Sequence, residues 1–251
     1  MNIPQKPDFI IAGAPRSGTT WLYHLLDRHP QIFMNKPLKP EPKFFIIDEL
    51  YQLGLEHYLQ TYFPQAPEEK VWGEKSTNYL ESPVVPGRIY QHLPKVKLIF
   101  ILREPIARAF SNYRWSRMNG LETKDFLTAI EKEESRSRTL PQNLKYSRPF
   151  DYFTRGLYAK LLRPYFDLFP KDRILVLRFE DISIEPQKLT ARIHRFLEVT
   201  NRSLDWQGLG VINPSRKDGV VLPAKAQALL AERYAEPNRQ LAQLLGQEFW
   251  V

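Results

Sequence analysis

The stretch Phe9-Ile10-Ile11-Ala12-Gly13-Ala14-Pro15-Arg16-Ser17-Gly18-Thr19-Thr20-Trp21-Leu22-Tyr23-His24-Leu25-Leu26 decides how this chain reads. An apolar run as long as one buried strand breaks into Gly, Pro, Ser and Gly, after which Trp21, Leu22, Leu25 and Leu26 recur at helical spacing. The order predicted is strand, tight loop, helix. Such a turn aims a row of backbone N–H groups, backed by the positive end of a helix dipole, at one spot that suits phosphate oxygens. Gly13 and Gly18 keep the G-x-x-x-x-G spacing of a P-loop. Thr19-Thr20, however, stand where a nucleoside-triphosphate loop needs Lys followed by Ser or Thr, and the cation lies inside the loop as Arg16. The loop is thus expected to cradle a 5′-phosphate beside its own fixed charge, with no metal.

Working outward, the next apolar strand is Val96-Lys97-Leu98-Ile99-Phe100-Ile101-Leu102, and Arg103-Glu104-Pro105-Ile106-Ala107-Arg108-Ala109-Phe110-Ser111 follows it directly. A guanidinium offers a charge-assisted fork to an anion, and a hydroxyl eight positions later adds one further donor. Pro105 suits the first turn of the helix that carries Ser111.

These motifs carry a family resemblance. Residues 15–21, Pro15-Arg16-Ser17-Gly18-Thr19-Thr20-Trp21, resemble the 5′-phosphosulfate loop P-[KR]-x-G-T-T-W of sulfotransferases that use 3′-phosphoadenylyl sulfate. In that family an Arg at a strand end and a Ser eight positions on hold the nucleotide's 3′-phosphate, the spacing of Arg103 and Ser111. The resemblance implies an α/β fold: a single domain over residues 1–251 with a central parallel β-sheet flanked by helices and a P-loop-like phosphate-binding loop. It implies nucleotide contacts from Arg16, Ser17, Gly18, Thr19 and Thr20. It adds a basic loop at residues 213–219, whose Arg216, Lys217 and Gly219 close over the 3′-phosphate end. Trp21 reads equally as an adenine-stacking ring or as a helix core residue.

Two further segments are similar to those of heparan-sulfate-type sulfotransferases. Glu41-Pro42-Lys43-Phe44-Phe45 matches K-E-x-x-F-F loosely, with prolines flanking Glu41, and the resemblance makes Glu41 the base that takes the acceptor's proton. Gly73-Glu74-Lys75-Ser76-Thr77-Asn78-Tyr79-Leu80 is similar to G-E-K-[ST]-x-x-Y-[LF], which implies that Lys75 meets the sulfonate or the acceptor. An alternative left open is that Glu74 and Lys75 only pair with each other. The family usually has Lys where this chain has Arg16. Arg does not readily give up a proton, so Arg16 suits a fixed charge rather than an acid.

The implied reaction is in-line transfer of a sulfuryl group from 3′-phosphoadenylyl sulfate, leaving adenosine 3′,5′-bisphosphate. The acceptor is a hydroxyl or amine of a carbohydrate, glycolipid or small molecule. Two other readings stay open: a non-catalytic anion- or nucleotide-binding module of the same fold, and a P-loop kinase.

Composition sets outer bounds. The formal net charge of +8 favours anionic ligands without choosing among them, and no nucleic-acid partner is expected. The absence of cysteine excludes disulfides, thiolate metal sites and thiol catalysis. No apolar run reaches the roughly 18 residues of a membrane span, and the first residues lead straight into a strand, so the expectation is a soluble, cytoplasmic protein. Helices are predicted over 55–63, 88–93, 112–118, 154–169 with a kink at Pro164, 185–197 and 223–245, and a strand over 174–179. Residues 121–147, polar and short of apolar periodicity, predict a helix followed by a long surface loop. His194 reads as a satisfied or surface histidine.

Overall fold

In the computed structural model, the first apolar run is the central strand of a five-stranded parallel sheet with the order β2-β3-β1-β4-β5. The structure describes residues 5–67, 70–141, 144, 146–203 and 220–250. The strands are β1 Phe9–Gly13, β2 Ile32–Met34, β3 Val71–Lys75, β4 Lys97–Leu102 and β5 Ile174–Arg178. The helices are α1 Thr19–Asp27, α2 Asp48–Gln52, α3 Gly54–Tyr62, α4 Val85–His92, α5 Pro105–Met118, α6 Phe126–Glu131, α7 Glu133–Ser137, α8 Tyr158–Leu168, α9 Asp181–Ile184, α10 Pro186–Leu197 and α11 Ala224–Leu245. Among the described residues no helix is long and apolar enough to cross a membrane.

Contacts divide the chain into two compact units, Met1–Leu102 with Pro164–Ile212, and Arg103–Arg163 with Asn213–Val251. No composition shift in the sequence marks that division.

The first unit holds the whole sheet. Every residue of β1 and of β4 is buried, which is why both read as unbroken apolar runs rather than alternating ones. Helix α1 lays Trp21, Leu22, Leu25 and Leu26 into a core that also contains Phe9, Ile11, Ile99, Ile101, Leu177, Leu189 and Ile193. Each such side chain contributes roughly 1.5–3 kcal/mol by leaving water. Trp21 is 6% exposed within that cluster. From β1 the chain passes to β2 and β3 on one side, whereas from β4 it passes to β5 on the other. The neighbouring ends of β1 and β4 are therefore a topological switch point, where open α/β sheets bind ligands outside the carboxyl ends of their strands.

The second unit has its own core of Ala109, Tyr113, Phe126, Ala129, Ile130, Tyr152, Ala226, Leu230 and Tyr234. Within residues 121–147, where one helix followed by a loop was expected, two short helices, α6 and α7, stand in succession, and Phe126, Ala129 and Ile130 supply a buried face. Glu122 organises the segment. Its carboxylate takes both Arg136 N–H groups at 2.7 and 3.0 Å, the Tyr152 hydroxyl at 2.6 Å, and the backbone N–H groups of Thr123 and Lys124 at 2.9 Å. Helix α8 starts later than predicted, after a 3-10 turn at Thr154–Gly156, and carries Pro164 inside it. Helix α11, Ala224–Leu245, is one helix with Pro237 inside it.

Candidate active site

The loop between β1 and α1 is built by its two glycines. Gly18 has a φ of 84°, a left-handed conformation that side chains resist, and a Cβ there would lie 2.9 Å from Ile182 and Phe179. At Gly13 a Cβ would come within 2.6 Å of Leu80. Arg16 also takes a left-handed φ of 66°. Helix α1 begins with no side-chain cap and no acidic residue in its first turn, so none of its own carboxylates neutralises its positive pole. The Ser17 hydroxyl is buried, with no hydrogen-bond partner among the described residues. Backbone N–H groups, a helix pole, an unspent hydroxyl and Arg16 form a donor set whose chemistry fits a phosphate or sulfonate.

The end of β3 lies beside the end of β1. Ile11 is in register with Lys75, and the Ser76 N–H donates to the Ile11 carbonyl at 3.2 Å. Lys75 is only 2% exposed, and its ammonium pairs with Glu41, which is 16% exposed. The Thr77 N–H donates to Glu41 Oε2 at 3.0 Å, and the Thr77 hydroxyl reaches both carboxylate oxygens at 2.9 and 3.0 Å. Glu41 and Lys75, 34 positions apart in the chain, are therefore in direct contact. Of the pairings left open by the sequence, Lys75 with Glu74 does not occur. Glu74 is fully buried and accepts the Tyr58 hydroxyl and the Ser76 hydroxyl, each at 2.7 Å. Burial pushes its carboxyl up to about 7, against the pull of hydroxyl donors from Ser76, Tyr58 and Tyr79.

Residues absent from the sequence reading hold this arrangement in place. Buried Asn35 accepts the Lys75 N–H at 3.0 Å and donates its own N–H to the Gly73 carbonyl at 2.8 Å. Its carbonyl accepts the Tyr23 hydroxyl at 2.7 Å. The Tyr62 hydroxyl donates to the Pro42 carbonyl at 3.3 Å. Thr77 stands two positions after Lys75, on the same face of extended backbone, and was open to notice on that spacing. Asn35 carries no local signal.

In the second unit, Ser111 is buried on α5, and the Arg103 carbonyl accepts the Tyr158 hydroxyl at 2.8 Å. Glu104 caps α5, accepting the N–H groups of Ile106 and Ala107 at 2.9 and 2.6 Å. The pole of α5 is thus met by a carboxylate of its own, in contrast to α1. Arg216, Lys217 and Gly219 lie outside the described residues.

The family model described as a sulfotransferase domain matches residues 6–207. The chain belongs to the sulfotransferase family. Among curated sulfotransferases, human bifunctional heparan sulfate N-deacetylase/N-sulfotransferase 1 is 28% identical over 219 residues, covering 84% of this chain and 24% of that protein. Human heparan sulfate glucosamine 3-O-sulfotransferase 5 is 30% identical over 201 residues, covering 80% of this chain and 56% of that protein. This sulfotransferase chain thus spans about a quarter of the first relative and just over half of the second. Among solved structures, a sulfotransferase from Alicyclobacillus acidocaldarius superposes with a TM-score of 0.79 at 26% identity, covering 98% of each chain. Mouse sulfotransferase SULT7A1 complexed with PAP superposes with a TM-score of 0.61 at 16% identity and shares the fold.

Proposed function

We propose that this chain transfers a sulfuryl group from 3′-phosphoadenylyl sulfate to a hydroxyl or amine of a carbohydrate or small molecule. The observation that carries the reading is the contact of Lys75 and Thr77 with Glu41, at the end of the strand beside the phosphate loop. The bound nucleotide supplies the sulfuryl group. Arg16, the N–H groups of residues 17–20 and the pole of α1 hold its 5′ end, while Arg103 and Ser111 hold its 3′-phosphate. The loop with Arg216, Lys217 and Gly219 adds charge there.

Glu41 is partly exposed, and its carboxylate is oriented by three donors, so it is set to take the proton of an attacking hydroxyl or amine. Its protonation ends the ion pair and frees the Lys75 charge for the oxygen that gains negative charge as the S–O bond breaks. The named substrates of the relatives, heparan sulfate glucosamine units, favour an amino sugar as acceptor.

The test is transfer of labelled sulfate from 3′-phosphoadenylyl sulfate to a panel of glucosamine oligosaccharides, glycolipids and phenols. Turnover on at least one acceptor is expected. Glu41→Gln should lower kcat by about 10²–10⁴-fold, the usual worth of a general base, with binding of adenosine 3′,5′-bisphosphate within twofold of the parent. Full turnover by Glu41→Gln, or no transfer to any acceptor, sinks the proposal.

A further inference from the structure

The Glu74 carboxyl is fully buried and has no ion-pair partner among the described residues, although a buried carboxyl is costly and an apolar side chain of similar size would serve stability as well. What it touches gives it a use. Side chains alternate along extended backbone, so Glu74 and Ser76 share one face of the strand end while Lys75 and Thr77 share the other. Lys75 and Thr77 grip the Glu41 carboxylate. On the other face, the Ser76 hydroxyl donates to Glu74 at 2.7 Å and accepts the Lys43 N–H at 2.9 Å. The Tyr79 hydroxyl accepts the Phe45 N–H at 3.2 Å and also bears on the Glu74 carboxyl. The segment that carries Glu41 is therefore hung by its backbone from two hydroxyls, those of Ser76 and Tyr79, and Glu74 accepts the first of them. Lys43 is held there at a φ of 50°, a left-handed conformation that a lysine keeps only when its surroundings fix it.

We propose that Glu74 is a positioning residue for Glu41: by accepting the Ser76 hydroxyl proton it turns that oxygen's lone pair to the Lys43 N–H, which fixes where the Glu41 carboxylate stands. The proposal rests on the assignment of Glu41 as the base. Glu74→Gln leaves one acceptor oxygen where the carboxylate offered two to the Ser76 and Tyr58 hydroxyls, so the grip on Ser76, and through it on the Lys43 N–H, loosens.

Three readouts test this. In the nucleotide-free protein, amide exchange at Lys43 should accelerate tenfold or more in Glu74→Gln, while the amides of β1 and β4 keep their protection. With the acceptor identified in the transfer screen, kcat should fall roughly ten- to hundredfold with little change in KM, the effect of a small misplacement of a reacting group. The double variant Glu74→Gln/Glu41→Gln should be no slower than Glu41→Gln alone, because Glu74 acts only through Glu41. If Glu74→Gln does not fold, Ser76→Ala breaks the same link and should give the same three results. Losses that multiply in the double variant, or exchange at Lys43 unchanged in a folded variant, overturn the proposal. Full activity of Glu41→Gln overturns instead the assignment beneath it.

Discussion

Replacing Ser17 by Ala should move stability and ligand binding in opposite directions. The Ser17 hydroxyl is buried in the phosphate loop with no hydrogen-bond partner among the described residues. An unsatisfied buried hydroxyl costs about 1–3 kcal/mol, and part of its removal is offset by the small void left behind. A net gain of about 1 kcal/mol follows for the nucleotide-free protein, which raises Tm by roughly 2–4 °C in a chain of this size. In the proposed nucleotide site the same hydroxyl gains a phosphate oxygen as partner when adenosine 3′,5′-bisphosphate binds. A hydrogen bond to a charged group contributes about 1.5–3 kcal/mol, so Ser17→Ala should weaken binding roughly ten- to hundredfold. Differential scanning fluorimetry without ligand and titration calorimetry with the bisphosphate read the two effects separately. A Tm lowered by several degrees would show that the hydroxyl is satisfied in the free protein. Binding unchanged within twofold would show that the backbone N–H groups hold the phosphate unaided.

Two further predictions concern the rest of the fold. Glu122→Ala leaves Arg136 and Tyr152 without their shared carboxylate in the interior of the second unit, at a cost of about 3–5 kcal/mol, and should lower Tm on the order of 10 °C; a drop below about 2 °C would mean that Glu122 does not organise residues 121–154. His194 is buried against His29 with ring centroids 4.8 Å apart, and burial lowers its pKa below the ordinary histidine value. Because the unfolded chain then binds the proton more readily, this contribution to stability is complete above about pH 6.5 and is lost as pH falls from there through the depressed folded value. His194→Phe should shrink the fall in Tm between pH 7.5 and 5.5, and an equal fall in both proteins would rule out His194 as its source.

The parts of the molecule that the sequence made legible are those encoded locally. The strand, loop and helix of residues 9–27 could be read because apolar spacing and two glycines act within a few residues of each other. The runs that became β4 and β5 were equally plain. What stayed hidden depends on contacts between distant segments. Glu41 meets Lys75 across 34 positions and Glu74 meets Tyr58 across 16, so a charged pair adjacent in sequence, Glu74-Lys75, splits toward opposite faces. Residues 121–137 were only partly legible for a related reason: their charges are partly internal, as at Glu122 and Glu133, and a buried ion pair looks in sequence like a solvated surface. His194 lies on the buried face that α10 forms with Leu189, Thr190, Ile193 and Leu197, so helical spacing places it inward, and only its contact with His29, far away in the chain, is unannounced.

The strand order has a consequence for how the protein is made. β4 pairs on one side with β1, already synthesised, but its other neighbour, β5, follows only after residues 103–163 have left the ribosome. Throughout that interval the nascent chain presents Leu98, Phe100 and Leu102 along an open, hydrogen-bonding edge of the kind that recruits foreign strands. Slow codons or a pause within that intervening stretch should therefore cost yield through aggregation, and co-expression with a chaperone that shields nascent strands should restore it.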